Sequence, residues 1–159
     1  MTGMSALWLP ILLSAGAVFI ASSVIHMVLS SWHKTDFAKV PDEPRFREAV
    51  GALKIPPGDY YVPYAGSMDE MKTPEFAAKQ DQGPVMIFTV MPPGKVTMGK
   101  YLVQWFIFSV VISMLTAYVT SRALSPAAPY LRVFQIAGAT AFIGYTAAMW
   151  PQSIWYHRA

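Results

Sequence analysis

Three stretches of this chain, Leu7 to Trp32, Tyr101 to Ser121 and Val133 to Trp150, contain no Asp, Glu, Lys or Arg. At about 26, 21 and 18 residues each meets the length needed for a helix to cross a hydrocarbon core about 30 Å thick. Such stretches leave few ways to fold, because a backbone in lipid must satisfy its own hydrogen bonds. Composition agrees: 54% of the 159 residues are apolar and only 13% charged, where about 25% charged is usual in soluble domains. The expected fold is an all-α polytopic membrane protein with three transmembrane helices, in the lipid bilayer.

The charges sit elsewhere. All acidic residues and most basic ones fall between Lys34 and Lys100, and the excess of +3 comes from Arg122, Arg132 and Arg158. A neutral segment with interspersed signs supplies no concentrated basic face, so a nucleic-acid partner is not expected. The absence of cysteine excludes disulfides, iron–sulfur clusters, thiolate zinc sites and cysteine nucleophiles.

The expected organisation is a first span within 1–33, an extramembrane segment of about 65 residues over 34–100, a second span over 101–121, a turn over 122–132, a third span over 133–151 and a tail over 152–159. A cleaved signal peptide competes for the first span. Residues 1–6 carry no Lys or Arg, however, and the apolar stretch is too long for such a peptide. Pro10 lies in the first turns, where a missing N–H is tolerated. The turn carries Pro126 and Pro129 between Arg122 and Arg132, so the second and third spans are expected to form a hairpin. Trp8, Trp32, Tyr101, Trp105, Tyr130, Trp150, Trp155 and Tyr156 fall near span ends, where amphipathic rings prefer to sit.

Orientation follows from the basic residues near span ends. Lys34, Lys39, Arg45, Arg47, Lys95, Lys100 and Arg158 lie on one side and only Arg122 and Arg132 on the other. This bias places segment 34–100 in the cytoplasm and the N-terminus outside. Within the segment, Phe46, Val50 and Leu53 have helical spacing, and Thr73-Pro74 reads as a cap followed by a first-turn proline. Asp59 to Tyr64 and Val85 to Met91 are β-prone and are expected to pair as a small hairpin, with Pro63 confining its strand to an edge. A segment with so few apolar side chains folds poorly alone, so it is expected to lean on the bilayer, the helices or another protein.

Membrane helices associate where small side chains let backbones approach. Ser109, Ser113, Ala117 and Ser121 form such a stripe on the second span, and Thr140, Gly144 and Ala148 another on the third, beside Ala137 and Ala141. Two readings are open. The stripes pack on each other within one chain, or one of them docks another membrane protein subunit.

His26 is the ionisable side chain well inside an apolar stretch, a functional suspect by default. As a cofactor ligand it would hold a haem iron or a chlorophyll magnesium, with Ser22 one turn back leaving room for the macrocycle. A bis-histidine haem needs a second intramembrane His, and the other spans have none. A histidine hydrogen-bonded to a neighbouring helix, through Gln104 or Gln135, is the simpler reading. His33 and Asp36 form a minimal candidate metal pair, but two ligands make no site alone, and His26 lies about 10 Å from His33 along a continuous helix. The serines lack a nucleophile-elbow setting, and there is no phosphate-binding glycine pattern, so an enzyme is not expected. The methionines, Met68, Met71, Met86, Met91 and Met98 among them, read as packing rather than as a copper motif.

The combination His26-Met-Val-Leu, His33-Lys-Thr-Asp36-Phe, Ile55-Pro-Pro-Gly-Asp-Tyr60, Glu70-Met-Lys-Thr-Pro-Glu-Phe76, Gly83-Pro-Val-Met and Ser153-Ile-Trp-Tyr156 resembles a group of uncharacterised small bacterial inner-membrane proteins. The resemblance covers almost the whole chain and implies a bacterial inner-membrane location, with no activity, cofactor or site attached. Members of that group continue past the Ser-Ile-Trp-Tyr stretch into a basic segment and another apolar span. The sequence stops at Ala159, so the resemblance leaves two readings open, a shorter member or part of a longer one; with a fourth span beyond Ala159 both termini would lie outside. The expected function is that of a noncatalytic accessory or structural subunit of a larger respiratory, photosynthetic or transport complex. The alternatives are a haem- or chlorophyll-binding protein using His26, and a homo-oligomeric channel or transporter in which Gln104, Thr116, Gln135 and Thr140 line one path.

Overall fold

The structure is a computed structural model that describes residues 3–29, 31 and 36–156. The chain divides into two compact units, one made of Met1–Ala38 with Val96–Ala159 and the other of Lys39–Lys95.

The first unit is helical. Its first helix begins as a 3-10 turn at Met4–Leu7, continues as α1 (Trp8–Ser23) and ends in a π turn at Val24–Val28. Pro10 stands in the first turn of α1, where its missing N–H breaks no helical bond. The π turn is closed by the Leu29 N–H donating to the Val24 carbonyl at 3.1 Å. Leu29 itself leaves helical geometry, and the expected span end at Trp32 lies outside the described residues.

The helix from the second apolar stretch, α4 (Met98–Ala123), is longer at both ends than expected and takes in Lys100 and Arg122. Both cations lie within a turn or so of a helix end, where long side chains reach water, and Arg122 also complements the C-terminal dipole. Its guanidinium sits 5.3 Å from the centre of the Tyr118 ring. Extended backbone at Leu124 ends the helix, and Pro126 and Pro129 keep the turn short before the next helix, Tyr130–Thr146, α5 below. A 3-10 turn at Ala147–Met149 links α5 to a last helix, Trp150–Tyr156, α6 below. The helical runs Met4–Val28, Met98–Ala123 and Tyr130–Tyr156 are long and apolar enough to cross a membrane. Their outer faces expose Leu13, Ile20, Ile107, Phe134 and Phe142, as lipid-facing helices do.

Helix α4 is central, packing against α1 and against α5. It runs antiparallel to α1: the Met4 sulfur lies 4.0 Å from Ser121 Oγ at one end, and Phe19 meets Phe106 edge-on with centroids 5.6 Å apart at the other. The buried residues of this unit, Ala15, Ser109, Ile112 and Ser121, include three small ones, as expected where close backbone approach holds helices together.

The second unit begins with α2 (Glu43–Ala52). The Asp42 carboxylate caps it by accepting from the Arg45 N–H at 3.1 Å, and Lys54, at φ 50°, ends it before Pro56-Pro57. Strands β1 (Gly58–Val62) and β2 (Met86–Val90) pair antiparallel, with Tyr60 opposite Phe88. Prolines on both sides keep each strand short. Between them, a 3-10 turn at Glu70–Lys72 leads into α3 (Pro74–Gln82). Thr73 Oγ1 caps α3 by accepting from the Phe76 N–H at 3.2 Å, and Gly83, at φ 64°, ends it. Phe76 is the buried apolar residue of this unit, at 3% exposure. One face of the hairpin half-buries Tyr60, Val62, Phe88 and Val90, with Tyr60 and Phe88 stacked at 5.4 Å. The other face exposes Asp59, Tyr61, Ile87 and Thr89, where the Thr89 hydroxyl donates to the Asp59 carboxylate.

Candidate functional site

The stripe on α4 is divided between two environments. Ser109 is fully buried and its hydroxyl donates to the Trp105 carbonyl at 3.0 Å. Ser113, Ala117 and Ser121 line an apolar cleft of 520 Å³ formed by α1, α4, α5 and the α4–α5 turn. The Ser121 hydroxyl donates back to the Tyr118 carbonyl at 2.9 Å.

At Gly144 the α5 stripe meets a large residue of α4. A Cβ at Gly144 would lie 3.2 Å from the Ile112 side chain, so the close approach there admits a large residue of α4 and not one of its small ones. The Thr140 hydroxyl donates to the Ile136 carbonyl at 2.8 Å, and Ala148 is exposed in the 3-10 turn after α5. The α5 residues that face the cleft are instead Ala137, Gly138, Ala141 and Tyr145, with Val133 and Phe134 nearer the turn.

Four buried polar atoms among the described residues have no hydrogen-bond partner: Trp105 Nε1, Thr116 Oγ1, Thr120 Oγ1 and the Tyr145 hydroxyl. Thr116, Thr120 and Tyr145 belong to the cleft lining. An unmet polar group in an apolar setting costs free energy, about 1–3 kcal/mol in protein mutational data, so such a cluster is uncommon without a reason. Trp105, placed by its sequence position at the membrane surface, joins an aromatic cluster with Phe108 at 5.4 Å and Tyr145 at 6.3 Å. Sequence reasoning singled out Thr116 as a polar position but not Thr120 or Tyr145. The one signal available was the four-residue step from Thr116 to Thr120.

His26 lies in the π turn, exposed, with Nδ1 2.8 Å from the Ser22 carbonyl oxygen. That bond ties the ring to its own helix. Asp36 is exposed, while His33 lies outside the described residues, so the geometry of that pair is not defined. Among the described residues no three His, Asp or Glu side chains gather as a metal site. Comparison of the chain with protein-family models, with curated proteins and with solved structures finds no match.

Proposed function

We propose that this chain is a noncatalytic accessory subunit of a larger assembly in a bacterial inner membrane, with segment 34–100 on the cytoplasmic side and the N-terminus outside. One observation carries the reading. In the unit Lys39–Lys95 the usual balance of apolar side chains is inverted: Phe76 is buried, while Tyr64, Met68, Met91 and Leu53 are 75%, 70%, 70% and 69% exposed. Lipid accounts for exposed apolar residues on the spanning helices, whereas an extramembrane unit needs another surface to cover them. A two-stranded sheet is marginal in water, which adds to the need for support. Protein subunits supply such a surface, and exposed methionine and tyrosine side chains adapt well to it.

The test is a mild-detergent pull-down of the tagged full chain from its native membranes. Stoichiometric recovery of other membrane subunits is expected, with at least a tenfold loss of recovery in the Tyr64→Asp/Met91→Asp double variant. Recovery of the chain by itself, without colour, removes this reading.

A second reading, an axial ligand role for His26, is favoured by one feature: π turns recur at functional sites, and this one is centred on His26 with Nδ1 tied back. It requires visible absorbance in the purified protein that disappears in His26→Ala.

A further inference from the structure

Helix α2 has an apolar face that its own unit leaves uncovered. Phe46 and Leu53 are 46% and 69% exposed, Ala49 is exposed and Val50 half-buried, and no helix or strand among the described residues packs substantially on α2. At ten residues, α2 is shorter than the roughly 12–15 at which an isolated helix persists in water, so it needs a surface to lie on.

The charges select that surface. By the 3.6-residue repeat, Ala49, Phe46, Val50 and Leu53 span an arc of about 100°, with Arg45 and Arg47 about 100° from its middle on opposite sides and Glu48 on the far side. Glu43 stands in the first turn, where a carboxylate complements the helix dipole. Among the described residues neither guanidinium is paired with a carboxylate. Two unpaired arginines bordering an apolar stripe on either side match a phospholipid surface, which presents phosphates along both edges of a helix wherever it lies.

Connectivity favours the same occupant. Residues 29–42 join α2 to a helical run long and apolar enough to cross a membrane, and Val96 and Thr97 join the other end of the unit to a second such run. Tethers this short give a bilayer an effective concentration on the order of millimolar or more, so the modest affinity of a short interfacial helix suffices.

We propose that α2 lies in the headgroup layer of the bilayer on the side of segment 34–100, with Phe46, Val50 and Leu53 toward the acyl chains and Arg45 and Arg47 on phospholipid phosphates. This rests on the membrane location proposed above. It assigns Leu53 to lipid and leaves Tyr64, Met68 and Met91 to a protein partner.

The cysteine-free chain permits the test. Ala49→Cys, in the apolar arc, and Gly51→Cys, on the opposite face where an added Cβ meets nothing, each carry the fluorophore NBD in the full chain, reconstituted without other proteins into phosphatidylcholine–phosphatidylglycerol nanodiscs. Both positions are exposed in the fold, so a difference between them reports a cover. At position 49 the expected result is at least about fivefold weaker quenching by aqueous iodide than at 51, with strong quenching by a phospholipid carrying a nitroxide near the top of its acyl chain. Arg45→Gln/Arg47→Gln is expected to cut that nitroxide quenching at least about threefold. Equal iodide quenching at the two positions overturns the proposal, as does unchanged nitroxide quenching in the arginine double variant. Protection at 49 without nitroxide quenching overturns it too, because protein is then the cover. A chain that does not co-elute with the nanodiscs overturns the membrane location itself, which separates that failure from a failure of α2 to dock.

Discussion

A β-carbon placed on Gly144 of α5 would stand 3.2 Å from both Cδ1 and Cγ2 of Ile112 on α4. Glycine is therefore what lets these two helices close around a branched side chain. Replacing Gly144 by Val forces the pair apart or drives Ile112 off its rotamer, an overpacking cost of about 1–3 kcal/mol. The expected outcome is a lower Tm in detergent for Gly144→Val and no comparable loss for Gly16→Val, where an added Cβ meets nothing. Equal melting of the two variants would contradict the packing described.

The cap of α3 depends on one hydroxyl. Thr73 Oγ1 accepts from the Phe76 N–H and itself donates to the Glu70 carbonyl at 2.8 Å. Thr73→Ala is expected to cost about 1 kcal/mol, and Thr73→Ser much less because serine caps as well. Hydrogen exchange of the α3 amides measures this: faster exchange in the alanine variant, near wild-type exchange in the serine variant.

Phe76 anchors the extramembrane unit as its buried apolar side chain. Truncation to alanine is expected to cost about 3–5 kcal/mol, enough to unfold a unit so small. Limited proteolysis should then cut between 39 and 95 at least tenfold faster while the three long apolar helices stay protected. Unchanged proteolysis would show that another surface holds the unit together.

Because the chain has no cysteine, its orientation can be read by single introduced thiols. Ser125→Cys, in the α4–α5 turn, is expected to react with a membrane-impermeant maleimide in intact spheroplasts. Lys79→Cys on α3 is expected to react only after the inner membrane is opened. The reverse pattern inverts the topology.

The three long apolar helices and several local stops were legible in the sequence because their causes are local. A stretch without charge must bury its backbone bonds in a helix if it enters lipid. A Thr-Pro pair starts α3 and paired prolines bound the strands, each through the geometry of one or two residues. Helix ends were read less well at Lys100 and Arg122, since long cationic side chains let a helix extend beyond its apolar core.

The partners of each face were decided by tertiary structure. A four-residue step places Thr140, Gly144 and Ala148 on one side of a regular helix without saying what approaches it. In the folded unit Ile112 fills the approach at Gly144, Ala148 follows the change to a 3-10 turn, and Ala137, Gly138 and Ala141 face open space. The π turn at His26 likewise interrupts the regular helix on which the seven-residue step to His33 was drawn. A cleft is bounded by three helices at once, so no single stretch of sequence contains it. Apolar periodicity sets which residues are available to a surface, and the fit of separate surfaces sets where they leave a void.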